Sequence, residues 1–273
     1  MSQSRRKAQK WLNSYRQVSQ HLHKWNLDEL LDEGHGITKI SNFLPEIVAE
    51  EILDAVRGIP EGSWLKTEAE ENYARNDISH SFVSTKSGNG IESILRIFGL
   101  LYPDSLHVFS AARYSGSKGD HIDRHDDRAY VDVTMATGEI VQCSRSIAII
   151  YYLTKCWSRE KGGLLIDCET GDCYVPEFNS LVAFRIPRFH VVTPVVPPHE
   201  RYSIFGWILE PGKLYHLNTE VRSGQVKGNS INHGTDLSNT VPCKPPATRC
   251  KLATRILQSY EKKTRKKRYR AAD

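Results

Sequence analysis

With 273 residues, of which 39% are hydrophobic and 25% charged, the chain can bury one good core and is too apolar for a disordered polypeptide. No run of about 18 apolar residues predicts a membrane span, and the N-terminus lacks the apolar stretch of a secretory signal. We therefore expect a cytoplasmic or nuclear protein that binds no membrane. The six cysteines are scattered, so we expect thiols rather than a disulfide framework.

The formal net charge of +5 is unevenly distributed along the chain. Residues 1–27 carry +6 and contain no acid, and residues 246–273 carry +8, so the body between these ends must carry −9. An acidic body with two basic ends differs from a uniformly basic nucleic-acid-binding protein. Nucleic acid remains an alternative partner, reached through the basic ends.

The N-terminal segment, residues 1–35, shows a helical pattern. Large apolar residues recur there at spacings of three and four, at Trp11, Tyr15, Val18, Leu22 and Trp25. We predict an amphipathic helix that packs on the main domain. An organelle transit peptide and a partner-binding helix are the alternatives.

Residues 36–214 are predicted to form the main domain. A short strand over 37–44 and helices over 45–56 and 91–101 come first. Strand patterns then follow at 106–114, 146–153, 163–168, 180–186, 190–196 and 201–209, and Cys168 and Cys173 flank a predicted hairpin turn. Helices followed by many short strands indicate an α+β fold, a β-sandwich or jelly roll supported by N-terminal helices.

Residues 215–273 lose apolar periodicity and become first Ser/Asn/Gly-rich and then Lys/Arg-rich. This composition predicts a flexible basic tail. The run at 262–268 is typical of a nuclear-localisation signal or a nucleic-acid patch, and a solvated basic tail is the alternative.

Two overlapping His-x-Asp pairs lie between Gly119 and Asp127, namely His121/Asp123 and His125/Asp127. Residues two apart on a strand point to the same side, so either pair could supply two ligands of a two-histidine, one-carboxylate iron site. Four residues at about 3.3 Å each separate the pairs by roughly 13 Å, so one ion cannot use both. The spacing alone leaves the choice between them open.

A third ligand and an anion-binding residue follow downstream. His190 begins a strand-like segment, and Arg201 begins the next one, eleven residues later. Two adjacent strands joined by a short turn would place a histidine and a bidentate carboxylate-binding guanidinium in the same barrel. The alternative is an ordinary buried histidine and a surface ion pair.

These residues resemble the prolyl-4-hydroxylase-like 2-oxoglutarate/iron(II) oxygenases, and most nearly the catalytic domain of the ribosomal-protein prolyl hydroxylases. That domain carries a Tyr, a Gly-Asp pair and, four residues on, His-Asp-Asp, and this chain has Tyr114, Gly119-Asp120 and 125–127 at that spacing. The match selects the second pair. The similarity covers about residues 105–210 and is carried by 145–154, Trp157, 162–165, Pro176, 179–184 and His190.

The resemblance implies a double-stranded β-helix in which His125, Asp127 and His190 bind iron(II). It also implies that Arg201 and Tyr152 hold the distal carboxylate of 2-oxoglutarate, that Tyr114 lines its pocket, and that dioxygen and, as a candidate, ascorbate take part. The carboxylate of Asp127 argues against a halogenase. The expected reaction is hydroxylation of a C–H bond, first of all in a prolyl residue of a protein or peptide.

Two departures from the ribosomal enzymes bear on the substrate. This chain is too short for their second, C-terminal barrel, and an insert at about 131–141 lengthens the loop beside the metal. The alternatives are therefore an oxygenase of a free amino acid, a small metabolite or a nucleic-acid base, and a non-catalytic interaction module. The oligomeric state and the role of His121 and Asp123 stay open.

Overall fold

The computed structural model of this protein describes residues 3–67, 78–84, 91–212 and 215. The predicted tail, apart from Tyr215, lies outside these residues, together with its basic run at 262–268, Cys243 and Cys250. The predicted division of the chain at 35/36 and 214/215 stays a prediction.

Five α-helices are described: α1 (Gln3–Leu12), α2 (Tyr15–Leu22), α3 (Leu27–Glu33), α4 (Glu46–Arg57) and α5 (Glu92–Gly99). The N-terminal segment, predicted as one helix, forms the three helices α1, α2 and α3, and the apolar stripe extends over α1, α2 and Trp25 in the link to α3. The first break arises because the side chain of Ser14 caps α2 by accepting a hydrogen bond from the Gln17 N–H. Tyr15, at the start of α2, points to solvent and is 64% exposed.

The strands are β1 (Ile37–Ile40), β2 (Leu65–Lys66), β3 (Ile78–Ser79), β4 (Ser81–Ser84), β5 (Leu106–Ser115), β6 (His121–His125), β7 (Tyr130–Thr134), β8 (Ile140–Tyr152), β9 (Leu165–Asp167), β10 (Cys173–Tyr174), β11 (Ser180–Arg185), β12 (His190–Val192) and β13 (Glu200–Pro211). They form two antiparallel sheets. The larger has the order β1-β11-β8-β13-β5-β4-β2, with β7 also paired to β8, and the smaller has the order β10-β9-β12-β6-β3. The predicted jelly-roll core with N-terminal helices is confirmed.

The larger sheet uses its two faces for different purposes. On β8, Ile147, Ile149 and Tyr151 are buried in the cluster that the helices cover, whereas Ala148 and Tyr152 are buried in a second cluster facing the smaller sheet. This alternation follows from the two-residue repeat of a strand. The inner face can therefore line a cavity while the outer face forms the core.

The N-terminal helices are part of that core. Ala8, Val18 and Leu31 are almost completely buried in the same cluster as the outer face of the larger sheet. Arg5 forms an ion pair with the buried Glu51 of α4 at 2.9 Å. The prediction that this segment packs on the main domain is confirmed.

Two hairpins modify the predicted picture. The insert at about 131–141, predicted as a longer loop, forms most of the β7–β8 hairpin, in which Val131 pairs with Cys143 and Thr134 with Ile140. Cys168 and Cys173 flank the β9–β10 hairpin, as predicted. They are not partners across it, because Cys173 is paired with Ile166. The four cysteines among the described residues form no disulfide.

Candidate metal centre and cosubstrate pocket

Three side chains converge between the two sheets. His125 ends β6 and His190 begins β12, and these two residues are direct partners in the smaller sheet. Asp127 follows β6 with a φ of 61°, a left-handed conformation that Asp tolerates better than most residues. Its neighbour Asp126 accepts hydrogen bonds from the backbone and side chain of Arg128, which fixes the turn.

One ligand atom from each of His125, Asp127 and His190 lies within 4.8 Å of the other two. His125 Nε2 is 3.2 Å from Asp127 Oδ1, and His190 Nε2 is 3.9 Å from Asp127 Oδ2. The centroids of the two imidazole rings are 4.1 Å apart. Two histidine nitrogens and one carboxylate form the donor set of the non-haem iron(II) oxygenases, which leaves coordination positions open.

Backbone carbonyls fix the tautomers of both histidines. Nδ1 of His125 lies 2.8 Å from the carbonyl oxygen of Asp123, and Nδ1 of His190 lies 2.8 Å from that of Arg188. Because a carbonyl oxygen can only accept, each Nδ1 carries a hydrogen and donates it. In the neutral imidazole the lone pair of each Nε2 is therefore turned toward the partner side chains, as metal binding requires.

The ionisation of the three side chains suits a cation. Burial and the nearby His125 lower the pKa of His190 to about 4, so its imidazole is neutral near pH 7. Burial raises the pKa of the Asp127 carboxyl, but the hydrogen bond from His125 and the electrostatic interactions with His190, His125 and Arg145 outweigh it and hold that pKa well below its usual range. Burial lowers the pKa of His125, and the carboxylate of Asp127 more than reverses this, so the pKa lies above its ordinary value. Cation binding to this cluster would require His125 Nε2 to be free of a proton.

The first His-x-Asp pair lies outside this cluster. His121 Nδ1 donates to the Gly119 carbonyl at 2.7 Å, and His121 Nε2 is 4.0 Å from Asp123 Oδ1. Among the described residues, the only group with metal-ligand geometry is the cluster of the second pair with His190. The choice of the second pair as metal ligands stays a prediction, and the convergence of its side chains with His190 supports it.

Arg201 lies deep in the cavity wall and is 2% exposed. Its Nη1 donates to the Gly163 carbonyl oxygen, its guanidinium carbon lies 4.0 Å from the centre of the Tyr114 ring and 5.4 Å from that of Tyr152, and its Nε has no hydrogen-bond partner. A buried cation with an unused donor fits an anionic ligand such as a carboxylate. Burial raises the pKa of Tyr114 to about 12 and raises that of Tyr152, so both hydroxyls keep their hydrogens.

A cavity of about 330 Å³ connects the three-residue cluster with Arg201. Among the lining residues that had no predicted role are His80, Arg145 and Trp207. Arg145 lies over the Trp207 ring at 3.6 Å and has a buried Nε without a partner. Both belong to strands that the resemblance covers, but the resemblance assigned them no role. Only their orientation toward the cavity, which the structure shows, identifies them as site residues.

His80 lines the cavity from the link between β3 and β4. Its ring stacks on Tyr114 with a centroid distance of 4.9 Å and an interplanar angle of 7°, so it joins Arg201 in contacting that tyrosine. Thr67 Oγ1 lies 3.0 Å from the His80 carbonyl and 3.2 Å from Nδ1. Burial and the charge of Arg201 lower the pKa of His80 to about 4, so the ring is neutral at pH 7.

Residues 109–209 match the model of the 2OG-Fe(II) oxygenase superfamily. A search of curated proteins found no match. Among solved structures, a prolyl hydroxylase from Trichoplax adhaerens, in complex with a peptide fragment of the hypoxia-inducible factor oxygen degradation domain, is 19% identical with a TM-score of 0.54, covering 72% of this chain and 94% of its own.

Two further structures are similar. The non-haem α-ketoglutarate-dependent carbocyclase SnoK from nogalamycin biosynthesis is 11% identical with a TM-score of 0.50, covering 69% of this chain and 85% of its own. A Pseudomonas putida prolyl-4-hydroxylase is 19% identical with a TM-score of 0.49, covering 67% and 98%. The matched family model includes all three clustered residues and Arg201. Residues 109–209 of this chain are therefore similar to the 2OG-Fe(II) oxygenase superfamily, and this similarity implies a dioxygenase that uses iron(II), 2-oxoglutarate and dioxygen.

Proposed function

We propose that this dioxygenase hydroxylates a prolyl residue of a protein or peptide, with iron(II) bound by His125, Asp127 and His190. The observation that carries the proposal is the convergence of three ligand atoms within 4.8 Å at the wall of an open cavity. When bound, iron(II) with 2-oxoglutarate and dioxygen supplies the oxidation of a C–H bond to C–OH. The three side chains occupy part of the coordination sphere and leave the rest for those ligands.

Arg201 is proposed to bind the distal carboxylate of 2-oxoglutarate. Its position in a nearly water-free wall strengthens a charge-assisted hydrogen bond, and its Nε has no other partner. Tyr152 and Tyr114 flank the guanidinium and keep their hydroxyl hydrogens, so they are proposed to help orient the same ligand. Ascorbate stays a prediction of the sequence resemblance.

Three observations support a polypeptide substrate. The sequence resembles prolyl hydroxylases between residues 105 and 210. The Trichoplax neighbour, which shares this fold, is a prolyl hydroxylase in complex with a peptide fragment. The body of the chain is acidic, which would attract a basic polypeptide.

The cavity wall also fits a prolyl side chain. Trp207, Phe205 and Ile150 give it an apolar surface, and Arg145 adds an unused donor that could bind a peptide carbonyl. A pyrrolidine ring needs apolar contact, and its peptide neighbours need hydrogen-bond partners.

The cytoplasmic or nuclear location stays a prediction; none of the described helices is long and apolar enough to cross a membrane.

The test is a substrate screen with the purified enzyme, iron(II) and 2-oxoglutarate. Basic proline-containing peptides, the same peptides with proline replaced by alanine, free proline and single-stranded RNA are incubated separately, with succinate and substrate mass as readouts. We expect a mass gain of one oxygen atom only in proline-containing peptides, and none with the His125→Ala variant. Oxidation of free proline or of RNA in place of the peptides would contradict the proposed substrate. Absence of 2-oxoglutarate turnover with any of them would favour a non-catalytic module.

A further inference from the structure

Arg188 and Asp167 form a buried ion pair directly beside His190. The pair is bidentate, with Arg188 Nε 3.0 Å from Asp167 Oδ1 and Arg188 Nη2 2.8 Å from Asp167 Oδ2. Asp167 is completely buried and Arg188 is 5% exposed. A buried pair of this kind is weak evidence for stability, because desolvation offsets most of its Coulomb attraction. Its location therefore calls for a different explanation.

Two backbone relationships connect this pair to His190. The carbonyl oxygen of Arg188 accepts the hydrogen from His190 Nδ1 at 2.8 Å, and Asp167 is the direct partner of His190 in the pairing of β9 with β12. The carbonyl of Arg188 orients the imidazole of His190. The ion pair therefore attaches Arg188 to β9, the strand that is paired with β12 at His190. Partners of this kind set the tautomer and the ring orientation of a metal-binding histidine.

The same guanidinium reaches the N-terminal part of the chain. Arg188 Nη1 donates to the carbonyl oxygen of His35 at 3.0 Å, directly after α3. Asp167 also accepts from the backbone of Glu169 and from the backbone and hydroxyl of Thr170, so its carboxylate cannot easily rotate. The ion pair therefore joins three segments: the end of α3, the β9–β10 turn and the approach to β12.

We propose that Arg188, held by Asp167, is a positioning residue that fixes the imidazole of His190 for metal binding and couples the segment around His35 to the metal centre. The inference rests on the proposed function, since it takes His190 as a metal ligand. Loss of the pair should let the Arg188 carbonyl and the His190 ring move together. The ring would then reach the metal position only part of the time.

The test measures Co(II) binding and the visible absorption spectrum of the bound ion, alongside thermal stability. The first variant is Arg188→Met combined with Asp167→Asn, which removes both charges and leaves no uncompensated buried ion. The second is Arg188→Lys, which keeps the charge but loses the two-pronged geometry. Arg185→Met is the matched control. Arg185 lies three residues before Arg188 in the sequence, but it forms an exposed ion pair, with Asp32 of α3 at 2.8 Å.

We expect the double variant to bind Co(II) about 10- to 100-fold more weakly with an altered spectrum. Arg188→Lys should lie between the double variant and wild type, and Arg185→Met should match wild type. Asn179→Ala, which removes two buried hydrogen bonds with the backbone of Leu44 and one from the Tyr151 hydroxyl, controls for lost stability alone. If it weakens Co(II) binding as much as the double variant does, the inference is wrong.

Wild-type affinity and spectrum in both Arg188 variants would also overturn the inference while leaving the proposed function intact. Failure of the wild type to bind Co(II) would remove the proposed function and this inference together. If the double variant does not fold, Arg188→Lys decides by the same readouts.

Discussion

The indole Nε1 of Trp207 donates a hydrogen bond to Oδ2 of Asp127 at 3.1 Å. The other carboxylate oxygen of Asp127, Oδ1, faces Nε2 of His125 at 3.2 Å. The two carboxylate oxygens therefore have different partners. Oδ2 is held by Trp207 of β13, and Oδ1 is turned toward the candidate metal position. A strand of the larger sheet thus orients Asp127, a candidate ligand that follows a strand of the smaller sheet.

Replacement of Trp207 by Phe keeps an apolar ring but removes this donor. We expect Mn(II) affinity to fall by about tenfold, because a ligating carboxylate without its hydrogen-bond partner is less well oriented. Titration calorimetry of Mn(II) measures the effect. Trp157→Phe is the matched control, since Trp157 Nε1 donates to the Gly162 carbonyl instead. Equal losses in both variants would show that the Asp127 contact is not the cause.

His125→Ala and His121→Ala distinguish the two His-x-Asp pairs on one strand. We expect His125→Ala to abolish measurable Mn(II) binding and His121→Ala to change it less than threefold, because only His125 lies in the three-residue cluster. Electron paramagnetic resonance of free Mn(II) gives the bound fraction. The opposite result would transfer the metal site to the first pair.

Arg201→Lys should weaken 2-oxoglutarate binding by at least about tenfold while Mn(II) binding is retained, because a lysine offers a point charge in place of a planar donor pair. At about 100 times its dissociation constant, 2-oxoglutarate should stabilise the wild-type Mn(II) protein by about 2.7 kcal/mol. Thermal unfolding with and without the ligand measures the difference. Arg113→Lys, on the partner strand, tests for an unspecific effect and should behave as wild type.

His80 predicts a specific dependence of stability on pH. Its folded pKa of about 4 lies below the ordinary value of 6.5, so the unfolded chain binds the proton more readily. Its contribution is complete above pH 6.5 and is lost as the pH falls toward 4, to a maximum of about 3 kcal/mol. The free energy of unfolding of wild type minus that of His80→Gln, measured in urea between pH 4 and pH 7.5, should therefore decrease as the pH falls. Parallel curves would contradict the assignment.

Gly206 on β13 is paired with Phe109 on β5. A Cβ at this position would be 2.1 Å from the Val108 carbonyl oxygen and 2.4 Å from the Phe109 ring. We expect Gly206→Ala to destabilise the fold by about 3 kcal/mol, since the neighbours are backbone and a packed ring. Gly62→Ala is the control, because a Cβ there meets nothing within 4 Å. Denaturant unfolding of both variants measures the difference.

The sequence predicted the jelly roll and its main strands because their apolar alternation is strong and local. It missed the break after α1, although Ser14 is a good capping residue, because the apolar spacing continues across it. It also treated the insert as a loop. The alternating Val131-Asp132-Val133-Thr134, followed by Thr137-Gly138, is in fact a hairpin signal.

The candidate site was predictable in part. His125, Asp127 and His190 stood out because His-x-Asp and a later His form a known donor set, and the structure brings them together. His80 could not be found in this way. Its place in the cavity depends on the pairing of β4 with β5 and on its stacking against Tyr114, and neither leaves a mark near residue 80 of the sequence.

The two-faced larger sheet determines where this chain can change length. A single residue added within β8 would shift its register by one position and exchange Tyr152, beside Arg201, for a residue of the outer core. The turn around Gly138 has no such constraint, because it joins β7 and β8 at the far end of their hairpin and a Cβ on Gly138 meets nothing within 4 Å. Insertions at this turn should leave the cavity wall in register, so changes in length can accumulate there without loss of the candidate cosubstrate pocket.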